Sequence, residues 1–75
     1  MQKSHVLINC EDGTEEFVSS EIMKIKDVKN IERTTGYYDL VAELESNNEE
    51  QLIKILGREI KNMKLVSSVL MLVHV

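Results

Sequence analysis

The segment Thr34-Thr35-Gly36-Tyr37-Tyr38-Asp39 carries the residue types needed to hold a small dipolar molecule. Gly36 permits close backbone approach and exposes N–H groups to a carboxylate. Asp39 can accept an α-ammonium in a charge-assisted hydrogen bond. An amino acid needs that pair, donors for its carboxylate and an acceptor for its amine. The same residues also serve a plain turn, with Gly36 making the bend and Asp39 bonding backbone amides. A second candidate is Ser67-Ser68, whose hydroxyls can reach a ligand across an interface or simply face solvent at a strand start.

Other reactive types are sparse. Tyr37 and Tyr38 have only Arg33 nearby, too little cation to stack and hold nucleic-acid bases, so cross-strand and interface packing is the expected role. Cys10 ends an apolar alternation and reads as a small buried hydrophobe, with no second Cys for a metal or redox pair. His5 and His74 lie near the two ends of the sequence and lack a local carboxylate, so no metal site is expected. Glu11, Asp12, Glu15 and Glu16 suit the start of a helix through dipole and capping. No Ser/His/Asp order, phosphate loop or paired-acid site stands out, and Arg33 and Arg58 make no anion pocket. No enzymatic activity and no cofactor are expected.

The 75 residues allow one small domain, 1–75, with 43% hydrophobic content, enough for a folded core. A domain of this size buries only about 60% of its unfolded surface, so it is marginal alone. A single cysteine rules out an internal disulfide framework, which leaves self-association as the supplement. The 9 basic and 13 acidic side chains give a net charge of −4, unlike a stand-alone nucleic-acid binder. Lys24, Lys26 and Lys29 form the one loose cationic group and suit a solvated helix end. No apolar run approaches the ~20 residues of a membrane span, and the N-terminal sequence has no signal-peptide apolar region. A reduced cytoplasmic setting is expected.

Residues 5–10 predict a strand. Asp12 and Glu15 have capping-box spacing, and Val18, Ile22 and Ile25 then mark an amphipathic helix over 14–25. Residues 28–37 and 39–45 predict two strands joined by a tight hairpin at Gly36. Ser46 and Glu49 form a second capping box. Leu52, Leu56, Ile60 and Met63 mark a helix over 48–63 that contains Gly57, for which close helix–sheet packing is the expected reason. Residues 65–75 predict a last strand. The order βαββαβ predicts an α+β, ferredoxin-like fold, a four-stranded antiparallel sheet with both helices on one face.

The other face of such a sheet is ordinarily polar. Here Leu7, Val41, Leu70 and Leu72 point to it, opposite the faces that hold Val6, Ile8 and Cys10, Leu40, Ala42 and Leu44, and Val69, Met71 and Val73. That is an unusual monomer surface, and it predicts a homodimer joined by sheet faces or by an edge.

The opening Val6-Leu7-Ile8-Asn9-Cys10-Glu11-Asp12-Gly13 resembles the first strand and turn of the Lrp/AsnC regulators' effector domain. The run Thr35-Gly36-Tyr37-Tyr38-Asp39-Leu40-Val41 resembles that family's hairpin signature, a small polar residue and Gly followed by an aromatic-Asp pair. The resemblance spans essentially the whole chain. It implies an effector-binding (RAM) domain in stand-alone form, because nothing before the first strand has room for a helix-turn-helix. It also implies dimers through the sheets, rings that are often octameric, and amino acids bound between neighbouring dimers. Carried onto this sequence, effector contacts fall on Gly36 and Asp39. One departure is that Val69, Leu70 and Met71 stand where members often alternate Thr or Ser, so an apolar ligand side chain or a vestigial site is implied.

The leading expectation is therefore an effector module binding an amino acid or similar small molecule through Thr34, Thr35, Gly36, Tyr37, Asp39, Ser67 and Ser68. It acts on transcription indirectly, by assembly with itself or with a helix-turn-helix paralogue, without direct DNA or membrane binding. The alternatives are a purely structural partner of such paralogues without ligand, and an ACT-like amino-acid sensor, which shares the βαββαβ order.

Overall fold

Alternation along β1 (Gln2–Cys10) places Val6, Ile8 and Cys10 on one face, and β3 (Leu40–Ser46) does the same with Leu40, Ala42 and Leu44. These six side chains are buried and form the sheet's half of the core. The computed structural model describes the backbone of residues 2–74 and the side chains of residues 2–72. The remaining elements are α1 (Glu15–Met23), β2 (Val28–Arg33), α2 (Glu49–Lys54) continuing as a π-helical turn over Ile55–Ile60, and β4 (Val66–His74). The order is βαββαβ, and the four antiparallel strands lie as β2-β3-β1-β4. Val18 and Ile22 of α1, and Leu52, Ile55 and Ile60 after them, close the core from one side. This is the expected α+β, ferredoxin-like arrangement.

Several local expectations give way to specific backbone geometry. β1 begins at Gln2 rather than at His5, because it pairs with β3 as far as Gln2↔Ser46. β2 stops at Arg33, so residues 34–39 form an open loop rather than a tight hairpin, with Gly36 at φ +101°. The Asp12–Glu15 capping box does not form. Gly13 turns the chain at φ +85°, Thr14 takes the cap position, and its hydroxyl donates instead to the Glu11 carbonyl at 2.6 Å. The Ser46–Glu49 box does not form either. Ser46 ends β3 as a buried residue, and Asn48 caps α2 by accepting the Gln51 amide at 2.8 Å.

The second helix also departs from an even i, i+4 stripe. Its π turn is marked by the Lys61 amide donating to the Leu56 carbonyl at 2.9 Å, five residues back. The wider turn buries Leu52, Ile55 and Ile60, while Leu56 and Met63 pack at the core's margin. Gly57 faces solvent, and a Cβ built there would meet nothing within 4 Å, so close packing is not its reason.

The uncovered face is apolar in its middle, as the alternation predicts. The register aligns Glu32, Val41, Leu7 and Leu70 in one cross-strand row and Asn30, Glu43, His5 and Leu72 in the next. Leu70 is 45% and Leu72 48% exposed, and Leu7 and Val41 are half-buried. His5 Nε2 lies 3.7 Å from Glu43 Oε2. Ser4, on the opposite face, is fully buried, and its Oγ has no hydrogen-bond partner. The side chains of Val73 and His74, and all of Val75, lie outside the described residues, as does any approach of His74 to His5. No helix among the described residues is long and apolar enough to cross a membrane.

Candidate functional site

The 34–39 loop is closed at its base by Thr34, whose amide donates to the Asp39 carbonyl at 3.0 Å. Thr35, Gly36 and Tyr37 form the exposed tip, Tyr37 at 95%, while Tyr38 is half-buried. The Thr34 hydroxyl makes a long contact of 3.4 Å to the Thr35 carbonyl.

Asp39 is held from several sides. Its amide donates to the Ile8 carbonyl at 3.0 Å and to Asn9 Oδ1 at 3.1 Å. Its Oδ2 accepts the Cys10 amide at 2.9 Å. The carboxylate therefore bonds a backbone amide of β1 rather than amides of its own turn. Asn9 continues the connection, donating from Nδ2 to Ser68 Oγ at 3.3 Å. The Asp39 backbone amide, the Asn9 side chain and the Ser68 hydroxyl thus form one hydrogen-bonded chain from the end of the 34–39 loop across β1 to β4, at one end of the uncovered face.

A bulge shapes the β4 side of this chain. Asn9 pairs with Ser68 and Cys10 with Val66, which leaves Ser67 as the extra, exposed residue. The structure thus connects Asp39 with Ser68 and leaves Thr34, Thr35, Gly36 and Tyr37 on the loop and Ser67 at the bulge. The residue that sequence reasoning missed is Asn9. Its signal was present, a polar residue at the same parity as Leu7 in an otherwise apolar strand.

Cys10 lies just beneath. Burial pushes its thiol pKa above the ordinary value, the Thr14 hydroxyl opposes the shift, and the Asp39, Glu15 and Asp12 carboxylates add to it. A protonated, sheltered thiol is a packing group rather than a nucleophile. Among the described residues no three of His, Cys, Asp and Glu gather to hold a metal ion.

Two cavities lie elsewhere. A groove of about 830 Å³ on the helical side is lined by residues of α1 and α2, by Ser46 and by Lys24, Lys26 and Lys29. Lys24 there is paired with Glu21 at 2.7 Å. A depression of about 160 Å³ on the uncovered face is lined by His5, Asn30, Glu32, Val41 and Glu43. Neither is lined by the 34–39 loop or by Ser67 and Ser68.

No family model matches the sequence. No curated protein matches it either. Solved structures do match. FFRP-DM1 superposes with a TM-score of 0.95 at 20% identity, covering 100% of each chain. AsnC of E. coli matches with a TM-score of 0.89 at 15% identity, over 97% of this chain and 50% of its own. A transcriptional regulator of Neisseria meningitidis, solved as a complex with L-Met, matches with a TM-score of 0.88 at 9% identity, over 99% of this chain and 49% of its own. At these identities the likeness is one of fold. The chain shares the fold of half of each regulator and of the whole of a small protein.

Proposed function

We propose that this chain is an effector-binding and assembly module of the Lrp/AsnC type. It binds an amino acid or similar small molecule at contacts between its own copies and has no chemistry of its own. Its effect on transcription is indirect, through assembly with itself or with a regulator that carries the DNA-binding part.

The observation that carries this reading is the Asp39–Asn9–Ser68 chain at the end of an apolar sheet face. Asp39 Oδ2 is occupied by the Cys10 amide, which orients the carboxylate and leaves Oδ1 to receive an ammonium group. Gly36, with its positive φ, offers backbone donors on the same loop. The loop lies open in a single chain, so a second copy supplies the enclosing wall. The L-Met held by the Neisseria regulator supports the ligand class.

Thermal unfolding at fixed protein concentration, with and without pooled amino acids, tests the reading. A ligand at 100 times its dissociation constant adds about 2.7 kcal/mol per site. In a domain this small each kcal/mol moves the midpoint by roughly 4–8 °C. A rise above about 5 °C supports the effector reading, and splitting the pool names the ligand. A midpoint unmoved at millimolar concentrations rejects it.

In that event a second reading holds, a purely structural partner of helix-turn-helix paralogues. The apolar run Val69–Leu72 beside Ser68 favours it, because it offers a polar ligand few donors. Retention of such a paralogue by the immobilised protein, unaffected by amino acids, is its signature.

A further inference from the structure

The two edges of the sheet are built differently. β2, at one edge, has 6 residues, carries Lys29, Glu32 and Arg33, and breaks register between Val28 and Asn30. Short length, charge and irregularity are the usual guards against strand addition. β4, at the other edge, has 9 residues and no charged side chain from Val66 through Val73. Its register irregularity lies at the Ser67 end, and from Ser68 to His74 its pairing with β1 is regular. Among the described residues no strand pairs with its outer edge. Its outward N–H and C=O groups therefore form a regular, unguarded template.

The sequence of that template identifies its occupant. Val69-Leu70-Met71-Leu72-Val73 reads the same in both directions. An antiparallel copy centred on Met71 sets Met71 against Met71, Leu70 against Leu72 and Val69 against Val73. Leu70 and Leu72 stand on the uncovered face, and Met71 packs toward the core, so the Leu70–Leu72 pairs meet on one face and the Met71 pair on the other. We propose that β4 joins a second copy of this chain edge to edge, about a two-fold axis through Met71, and runs the sheet continuously through both copies.

The contact is isologous and requires no ligand, so it goes beyond the effector reading and does not rest on it. It is also distinct from packing of the uncovered faces. A single isologous contact stops at a dimer. Edge joining and face packing together extend the assembly beyond two copies.

Disulfide trapping tests the axis. Directly opposed residues of antiparallel strands have Cα atoms about 4.5–5.5 Å apart, within disulfide reach. Met71→Cys is expected to cross-link to its own copy under mild oxidation. The native chain, whose Cys10 is buried, is expected to stay uncross-linked. Leu70→Cys mixed with Leu72→Cys is expected to give mainly the mixed cross-link, and both positions are exposed enough to tolerate the change. Asn30→Cys, on the guarded edge, is expected to stay a free thiol. Face packing cannot imitate the Met71 cross-link, because Met71 points away from the uncovered face. A Met71→Cys protein with a native circular dichroism spectrum that remains uncross-linked overturns the proposal. So does self-linking of Leu70→Cys that equals its linking to Leu72→Cys in the Leu7→Lys background, where packing of the uncovered faces is weakened. Neither outcome touches the amino-acid response, which is read separately by thermal shift.

Discussion

Asp39 Oδ2 accepts the backbone amide of Cys10 at 2.9 Å, 29 residues away in sequence. One carboxylate thereby fastens the 34–39 loop to β1, an inner strand of the sheet. The structural role of this side chain and the ligand-binding role proposed for it separate by substitution. Asp39→Ala removes both and is expected to cost about 1–3 kcal/mol, seen as a lower unfolding midpoint. Asp39→Asn keeps an acceptor for the Cys10 amide and is expected to retain most of that stability. Its neutral amide attracts an ammonium group far less, so its midpoint no longer rises with the amino acid that shifts the native chain. A shift of native size in Asp39→Asn removes the carboxylate from ligand recognition.

Leu7 lies between Val41 and Leu70 in the apolar row of the uncovered face. Leu7→Lys places a charge at the centre of that row. Dimerisation through this face is expected to weaken at least about tenfold, or roughly 1.4 kcal/mol, measured by sedimentation equilibrium. The edge contact is expected to survive, so Met71→Cys still cross-links in the Leu7→Lys background. Unchanged self-association in Leu7→Lys places the interface elsewhere.

Ser4 is fully buried with an unpartnered hydroxyl. A buried polar group without a partner costs roughly 1–3 kcal/mol, whereas the matching apolar group costs nothing of that kind. Ser4→Ala is therefore expected to be neutral or stabilising by about 1 kcal/mol in chemical denaturation. A loss above about 1 kcal/mol contradicts the buried, unbonded hydroxyl.

The Cys10 thiol has a raised pKa in the folded chain, chiefly from burial. Its contribution to stability is complete below the ordinary value of 9.0 and is lost as pH climbs through the folded value. The stability advantage of the native chain over Cys10→Ala is expected to be constant at neutral pH and to shrink above about pH 9. Thiol labelling at neutral pH is expected to be slow and to track unfolding.

Much of this architecture was legible in the sequence, for physical reasons. The alternation at Val6, Ile8 and Cys10 and at Leu40, Ala42 and Leu44 fixes both inner strands, because a shift of one residue would reverse every side chain. The misplaced features are those where backbone geometry competes with side-chain spacing. Capping-box spacing at Asp12 and Ser46 was outweighed by the Gly13 turn and by the extension of β3 to Ser46. The even spacing of Leu52, Leu56 and Ile60 fits an ordinary helix, and nothing in it marks the wider turn that carries Ile55 and Ile60 inward. At the candidate site, residue type alone nominates Gly36, Asp39 and Ser68, of which the structure connects Asp39 and Ser68. Asn9, which connects Asp39 to Ser68, emerges only when three strands are laid side by side.

The strand order makes β1, the first strand in sequence, an inner strand between β3 and β4. The bond between Asn9 and Ser68 closes a sequence separation of 59. Such distant pairings make for slow folding, since chain entropy is lost before the contacts form. On a ribosome, β1 emerges before β4 and waits with one side unmatched until β4 has been made. During that interval its apolar face and its open hydrogen-bonding edge are both available to other chains, so synthesis is the stage at which this protein most needs protection from aggregation.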